Sequence, residues 1–229
     1  MRVLLLAALL LSTPAHAATR SFSVTSFDRV RVAGPFKVDL RIGTSTSARA
    51  EGSPAALNRL KVGVQGSTLV IDLDRTYAGL MGAETAPVSL SVSTPSLTAA
   101  ALTGSGALTI DGVKARLFSL NVSGSGDVAI GSLIADQATV AVAGPGRATI
   151  AGKVGSVRAS LQGSGAIEAA GLDVADLDLS FTGSGKARLA ASRTAKIFAA
   201  GSGDVIVTGD PACTVRAQGS GEVRCGGDR

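Results

Sequence analysis

From about residue 94 onward, apolar and polar residues alternate in short runs, and pairs of glycines interrupt the runs at near-constant intervals. "FSLNVSG" begins at Phe118, "ATVAVAG" at Ala138, "LDLSFTG" at Leu177 and "VRAQG" at Val215. After the second glycine of each pair the chain reads "ALTI", "DVAI", "RATI", "AIEA", "KARL", "DVIV" and "EVRC" in turn. A period of two puts successive side chains on opposite faces, which is the signature of strands and not of helices.

The glycine pairs are Gly104-Ser105-Gly106, Gly124-Ser125-Gly126, Gly144-Pro145-Gly146, Gly163-Ser164-Gly165, Gly183-Ser184-Gly185, Gly201-Ser202-Gly203 and Gly219-Ser220-Gly221. Their first glycines are separated by 20, 20, 19, 20, 18 and 18 residues. So steady a period marks a repeat architecture. Two or three short strands fit in each repeat and a helix does not. The pattern therefore predicts an all-β fold, a parallel β-solenoid (β-helix) of about seven coils. With rungs about 4.8 Å apart, the column is on the order of 30–35 Å long.

Phase assigns the glycines a structural role. Val122, Gly124, Gly126, Val128 and Ile130 share the buried parity, while Ser125, Asp127 and Ala129 share the other. Both glycines sit where a Cβ would meet the neighbouring wall or forbid the required φ. Pro145 replaces Ser in mid-column with neither a hydroxyl nor an amide hydrogen, so the serines carry no obligatory chemistry. Val, Ile, Leu and Ala are expected to line the core, with Phe118, Phe181 and Phe198 among its few large groups.

Residues 18–93 lack the glycine pair and are expected to form a β-rich, irregular N-terminal cap or early coils, continuous with the repeat at 94–229 as one domain. "FDRVRVAGPFKVDLRIG" (27–43) reads as two strands around Gly34-Pro35. In "SPAALNRL" (53–60), Ser53 is an N-cap and Pro54 the first residue of a short helix. "KVGVQGSTLVIDLD" (61–74) reads as a hairpin turning near Gln65-Gly66, and 75–87 as the longest loop.

Composition narrows the function. Residues 1–17 combine Arg2, an apolar run from Val3 to Leu11 and a small-x-small site at Ala15-His16-Ala17, the pattern of a cleaved secretory signal. The reading is an exported protein of the periplasm, cell surface or extracellular space. No cysteine follows the apolar run for a lipid anchor, and no later stretch is apolar enough to serve as a transmembrane anchor. Removing the signal leaves 21 basic residues against 17 acidic ones, dispersed and almost without aromatics, which argues against nucleic acid as a partner. It also removes His16, the only histidine, so neither a Ser-His-Asp system nor a His-ligated metal site can be built. Cys213 and Cys225 are expected to form a disulfide in an oxidising compartment and to help close the C-terminal end.

The residue after the second glycine is Ala107, Asp127, Arg147, Ala166, Lys186, Asp204 or Glu222, and cations in that column would repel calcium. Instead, Asp127 stacks beside Arg147, and Lys186 beside Asp204. A phosphate cradle needs glycines that open a helix, whereas these run into strands. Polysaccharide chemistry needs a patch of carboxylates or of Arg and Lys on one face, usually with aromatics for sugar stacking; Glu168, Asp173, Asp176 and Asp178 lie close in sequence, yet no aromatic platform accompanies them.

The opening "FDRVRVAGPFKVDLRIG", then "STLVIDLD", then the train of Gly-Ser-Gly turns to Gly221 resembles the bacterial GIN-domain family, the putative auto-transporter adhesin head domain. The resemblance spans about Phe22 to Cys225 and implies an envelope β-solenoid with no established catalytic residues. Many relatives look like lipoproteins, a feature this signal lacks. The resulting expectation is a non-enzymatic cell-envelope surface, scaffold or adhesion-type module with no cofactor, catalytic or metal site. Its partner is an unidentified envelope or surface component, polysaccharide being one option, and a homo-oligomer is compatible with the chain. The alternative is a carbohydrate-binding or polysaccharide-processing β-helix protein.

Overall fold

A computed structural model describes residues 18–74 and 88–227; the signal segment and the loop expected at 75–87 lie outside the described residues. The N-terminal half contains β1 (Ala18–Phe22), β2 (Arg29–Ala33), β3 (Lys37–Ile42), β4 (Ser47–Gly52), α1 (Pro54–Asn58), β5 (Leu60–Gln65), β6 (Thr68–Leu73) and β7 (Ser89–Thr94). Its local structure follows the sequence pattern. β2 and β3 flank Gly34-Pro35, and β5 and β6 form a hairpin with Gln65 opposite Thr68. The Ser53 hydroxyl oxygen accepts from the Ala56 N–H at 3.2 Å and caps α1, which buries Leu57.

The repeat half contains β8 (Ala99–Gly104), β9 (Ala107–Ile110), β10 (Val113–Gly124), β11 (Asp127–Ala143), β12 (Arg147–Gly163), β13 (Ala166–Ala169), β14 (Leu172–Gly183), β15 (Lys186–Ala190), β16 (Thr194–Gly201), β17 (Asp204–Thr208), β18 (Ala212–Gly219) and β19 (Val223–Cys225). All pairings among these strands are parallel. They build a solenoid whose seven Gly-x-Gly corners stand in one line. The first wall precedes the corners and the second follows them. A third wall is formed where Val113, Leu133, Gly152 and Leu172 stack in register. Inward positions repeat along each wall. Leu102, Val122, Val142, Leu161 and Phe181 occupy one first-wall column, and all five are buried.

Chain order and spatial order differ at the N-terminal end. β2 pairs with β6 on one side and β8 on the other, and β3 lies likewise between β7 and β9. Residues 29–42 thus form a rung inserted between the rung made by β6 and β7 and the first repeat, with Gly34-Pro35 as its corner. Beyond β7 the sheet turns antiparallel through β4 to β1, and α1 packs beside them. The Arg20 guanidinium donates to the Leu57 carbonyl at 3.3 Å and ties β1 to the helix.

Most corners are closed by the rung before them. At the second corner the Ser125 and Gly126 N–H groups both donate to the Gly104 carbonyl, at 3.0 and 2.9 Å. Gly124 has φ +106°, and a methyl group added at Gly126 would lie 2.6 Å from the Gly106 carbonyl oxygen. At the Pro145 corner the Gly146 N–H still donates to the Gly124 carbonyl at 2.8 Å. Proline therefore removes one of two redundant donors.

The structure corrects two sequence-based expectations. Phe118 and Phe181 are core residues, but Phe198 is 39% exposed, because inward Ile197 and Ala199 flank it and fix its outward parity. The C-terminal end is only partly closed. The Cys213–Cys225 disulfide joins β18 to β19 across the last rung, yet every residue of β18 is exposed, Val215 among them.

Candidate functional site

The strict alternation that builds the walls slips where the third wall meets the first. Arg116 and Leu117 are both exposed, and one rung on so are Asp136 and Gln137. Two outward residues in succession mean that the backbone bends there, and two depressions of about 730 and 420 Å³ open along the bend. Both include Gln137 and Thr139, so they form one groove parallel to the column axis.

Register fixes which side chains line it. Arg29, Ala99, Ser119, Thr139, Arg158, Asp178 and Lys196 stack in one column, five residues before each first glycine. Leu117, Gln137, Ser156, Asp176 and Thr194 stack in a second column beside it. Sequence reasoning missed this groove. Its signal was present in the paired outward residues at each bend and in the polar residues recurring at a fixed offset from the glycines.

Of the four candidate acids, Asp176 and Asp178 both line the smaller depression, whereas Glu168 and Asp173 lie outside it. Glu168 projects from the second wall and pairs with Arg188 at 3.7 Å. Asp173 projects from the third wall and pairs with Lys153 at 3.3 Å. Asp178 lies on the first wall, 3.8 Å from Arg158. Asp176, at the bend, accepts from the Arg193 guanidinium on both oxygens and from the Thr194 hydroxyl at 2.7 Å. Those hydrogen bonds hold its carboxyl down at about 2, against an ordinary value of 3.8, and raise the Arg193 pKa in turn. A carboxylate held so low neither gives nor takes a proton readily near neutral pH. Each acid is matched by a base one rung away.

The remaining sequence candidates are surface features. Asp127 lies in register with Arg147, and Lys186 with Asp204. The corner serines point to solvent, and the corner N–H groups are taken up by carbonyls of the rung before, as at Gly104, Gly163 and Gly183. Those corners therefore present no converging donors to an anion. Among the described residues no group of three or more His, Cys, Asp or Glu is placed to hold a metal ion, and no helix is long and apolar enough to cross a membrane.

The model of the family described as putative auto-transporter adhesin, head GIN domain, matches residues 26–211. No curated protein matches the chain. Among solved structures, a putative adhesin from Bacteroides fragilis superposes with a TM-score of 0.84 at 21% identity, covering 91% of this chain and 96% of that one. A putative lipid binding protein from Parabacteroides distasonis gives 0.75 at 17% identity, with 94% and 98% covered. A putative adhesin from the same organism gives 0.71 at 22%, with 92% and 97% covered. At these identities the likeness is one of fold.

Proposed function

Since the chain belongs to the head GIN-domain family of putative auto-transporter adhesins, we propose that it is an exported, non-enzymatic β-solenoid whose outer walls serve as an adhesion-type binding surface of the cell envelope. The observation that carries the non-enzymatic reading is the fate of the carboxylates. Glu168, Asp173, Asp176 and Asp178 leave from different walls or are locked to a base on the next rung. Hydrolytic polysaccharide cleavage uses two carboxyl groups flanking one bond, of which one is kept protonated as the acid. This arrangement lacks that polarised pair. Export is supported by the N-terminal apolar segment and by the disulfide, which persists in oxidising compartments.

Two measurements test the reading together. The mature chain is incubated with envelope polysaccharide, and both retention and released product are followed. Retention without product is expected. Product release that disappears in Glu168→Gln or Asp173→Asn would replace this reading with an enzymatic one. Fractionation of producing cells into cytoplasm, periplasm, membrane and medium should place the protein outside the cytoplasm, and recovery in the cytoplasm alone would refute export.

A further inference from the structure

We propose that the groove between the third and first walls binds a linear acidic saccharide chain lying parallel to the solenoid axis. The inference rests on the surface-binding reading above and names the site and ligand class within it.

Shape comes first. The groove is open along its length and runs past the rungs from Arg29 to Lys196, six steps of about 4.8 Å, or roughly 29 Å. A small molecule would be left largely uncovered in such a trough, because small-molecule sites are concave and bury most of their ligand. An extended polymer would be contacted rung after rung.

Side-chain chemistry selects the polymer. Ser119, Gln137, Thr139 and Ser156 offer hydroxyls and an amide in two parallel columns, which suits a ligand studded with hydroxyl groups. Leu117, 53% exposed, supplies an apolar surface beside them on which a sugar ring face can rest. Charge then separates acidic from neutral chains. Arg29, Lys114 and Arg116 line the larger depression with Asp28 as its only acid, and Lys114 and Arg116 form no ion pair among the described residues. In the smaller depression Asp176 and Asp178 are neutralised by Arg193 and Arg158, and Lys196 is added. The surplus charge of the groove is positive. A carboxylate-bearing sugar would sit near Lys114 and Arg116, with its hydroxyls on the neighbouring polar columns.

The test is titration calorimetry of the mature protein with galacturonate and mannuronate oligomers of defined length, beside their neutral methyl esters. At least one acidic series should bind saturably, more tightly as the oligomer lengthens and more weakly as salt is added, with the esters clearly weaker. The double variant Lys114→Ala/Arg116→Ala should lose about tenfold or more in affinity, as expected for removing charge-assisted hydrogen bonds. Lys186→Ala on the second wall should bind as the parent does. Circular dichroism confirms that each variant is folded. Failure of both acidic series to saturate, equal binding of the esters, or an unaffected double variant overturns the proposal. So does retention on phosphatidylglycerol vesicles by a protein that binds no oligomer, which would point to lipid. Retention on polysaccharide-coated surfaces separates the two readings. If the double variant is retained there as well as the parent, adhesion stands and the groove is not its site. If oligomer binding occurs without surface retention, the groove stands and adhesion falls.

Discussion

At the scale of the residue, the second glycine of each corner is constrained more tightly than the serine beside it. Gly126 packs against the Gly106 carbonyl oxygen, so Gly126→Ala must displace backbone and should cost at least about 2 kcal/mol, read as a fall in the denaturation midpoint. Pro145→Ser restores the donor found at the other corners and should leave stability within about 1 kcal/mol of the parent. The phenylalanines form a second contrast. Phe181 is buried, and its truncation to Ala should cost about 3–5 kcal/mol. Outward Phe198 should tolerate the same change to within about 0.5 kcal/mol. Asp176 gives a pH signature. Its folded-state carboxyl, held at about 2, lies below the ordinary value, so its pairing stabilises the fold fully above about pH 4. That contribution is lost as the pH falls through about 2. The melting temperature of Asp176→Asn should lie below that of the parent at pH 6, and the two should converge near pH 2. A gap of constant size would show that the ion pair is not its cause.

At the scale of the element, the two ends of the column are closed by different means. Antiparallel strands β4, β1 and β5 and helix α1 cover the first two walls at the N-terminal end, whereas among the described residues the third-wall start of β10 pairs with β11 alone. At the other end only the Cys213–Cys225 link holds the exposed strand β18 to β19. Closing a loop of a dozen residues contributes about 2–3 kcal/mol, and here the effect should be local. Reduction, or Cys213→Ser/Cys225→Ser, should speed amide exchange in β18 and β19 while leaving β10 to β12 protected. Uniform acceleration along the column would mean that the disulfide supports the whole fold. The helix, the hairpin and both strands around Gly34-Pro35 were legible in the sequence because each is decided by local chemistry: a cap, a turn and an alternation.

At the scale of the whole molecule, each coil touches only its neighbours, and stability is expected to sum along the column. Removing residues 144–162 deletes one coil and joins Ala143 to Gly163, which keeps both the glycine line and the inward columns in phase. That variant should fold with undiminished β signal per residue and a modestly lower melting temperature. Removing only 144–153 puts the following strands out of phase and should abolish cooperative unfolding. Equal behaviour of the two deletions would contradict the stacked-rung architecture.

The chain alone determined the solenoid, its corners and the parity of most of its walls, because a period of two within a period near twenty leaves few other ways to bury these side chains. Parity also placed Phe198 outside, although its size suggested the core. What only the tertiary structure decided was contact between segments distant in the chain. The insertion of residues 29–42 between two rungs built from later residues depends on pairings that no local pattern encodes. The separation of Glu168 and Asp173 from Asp176 and Asp178 depends on which wall each leaves, and the groove arises where bends from successive coils align. Local alternation specifies a strand and its faces; which walls meet, and what lies between them, is settled only when the rungs stack.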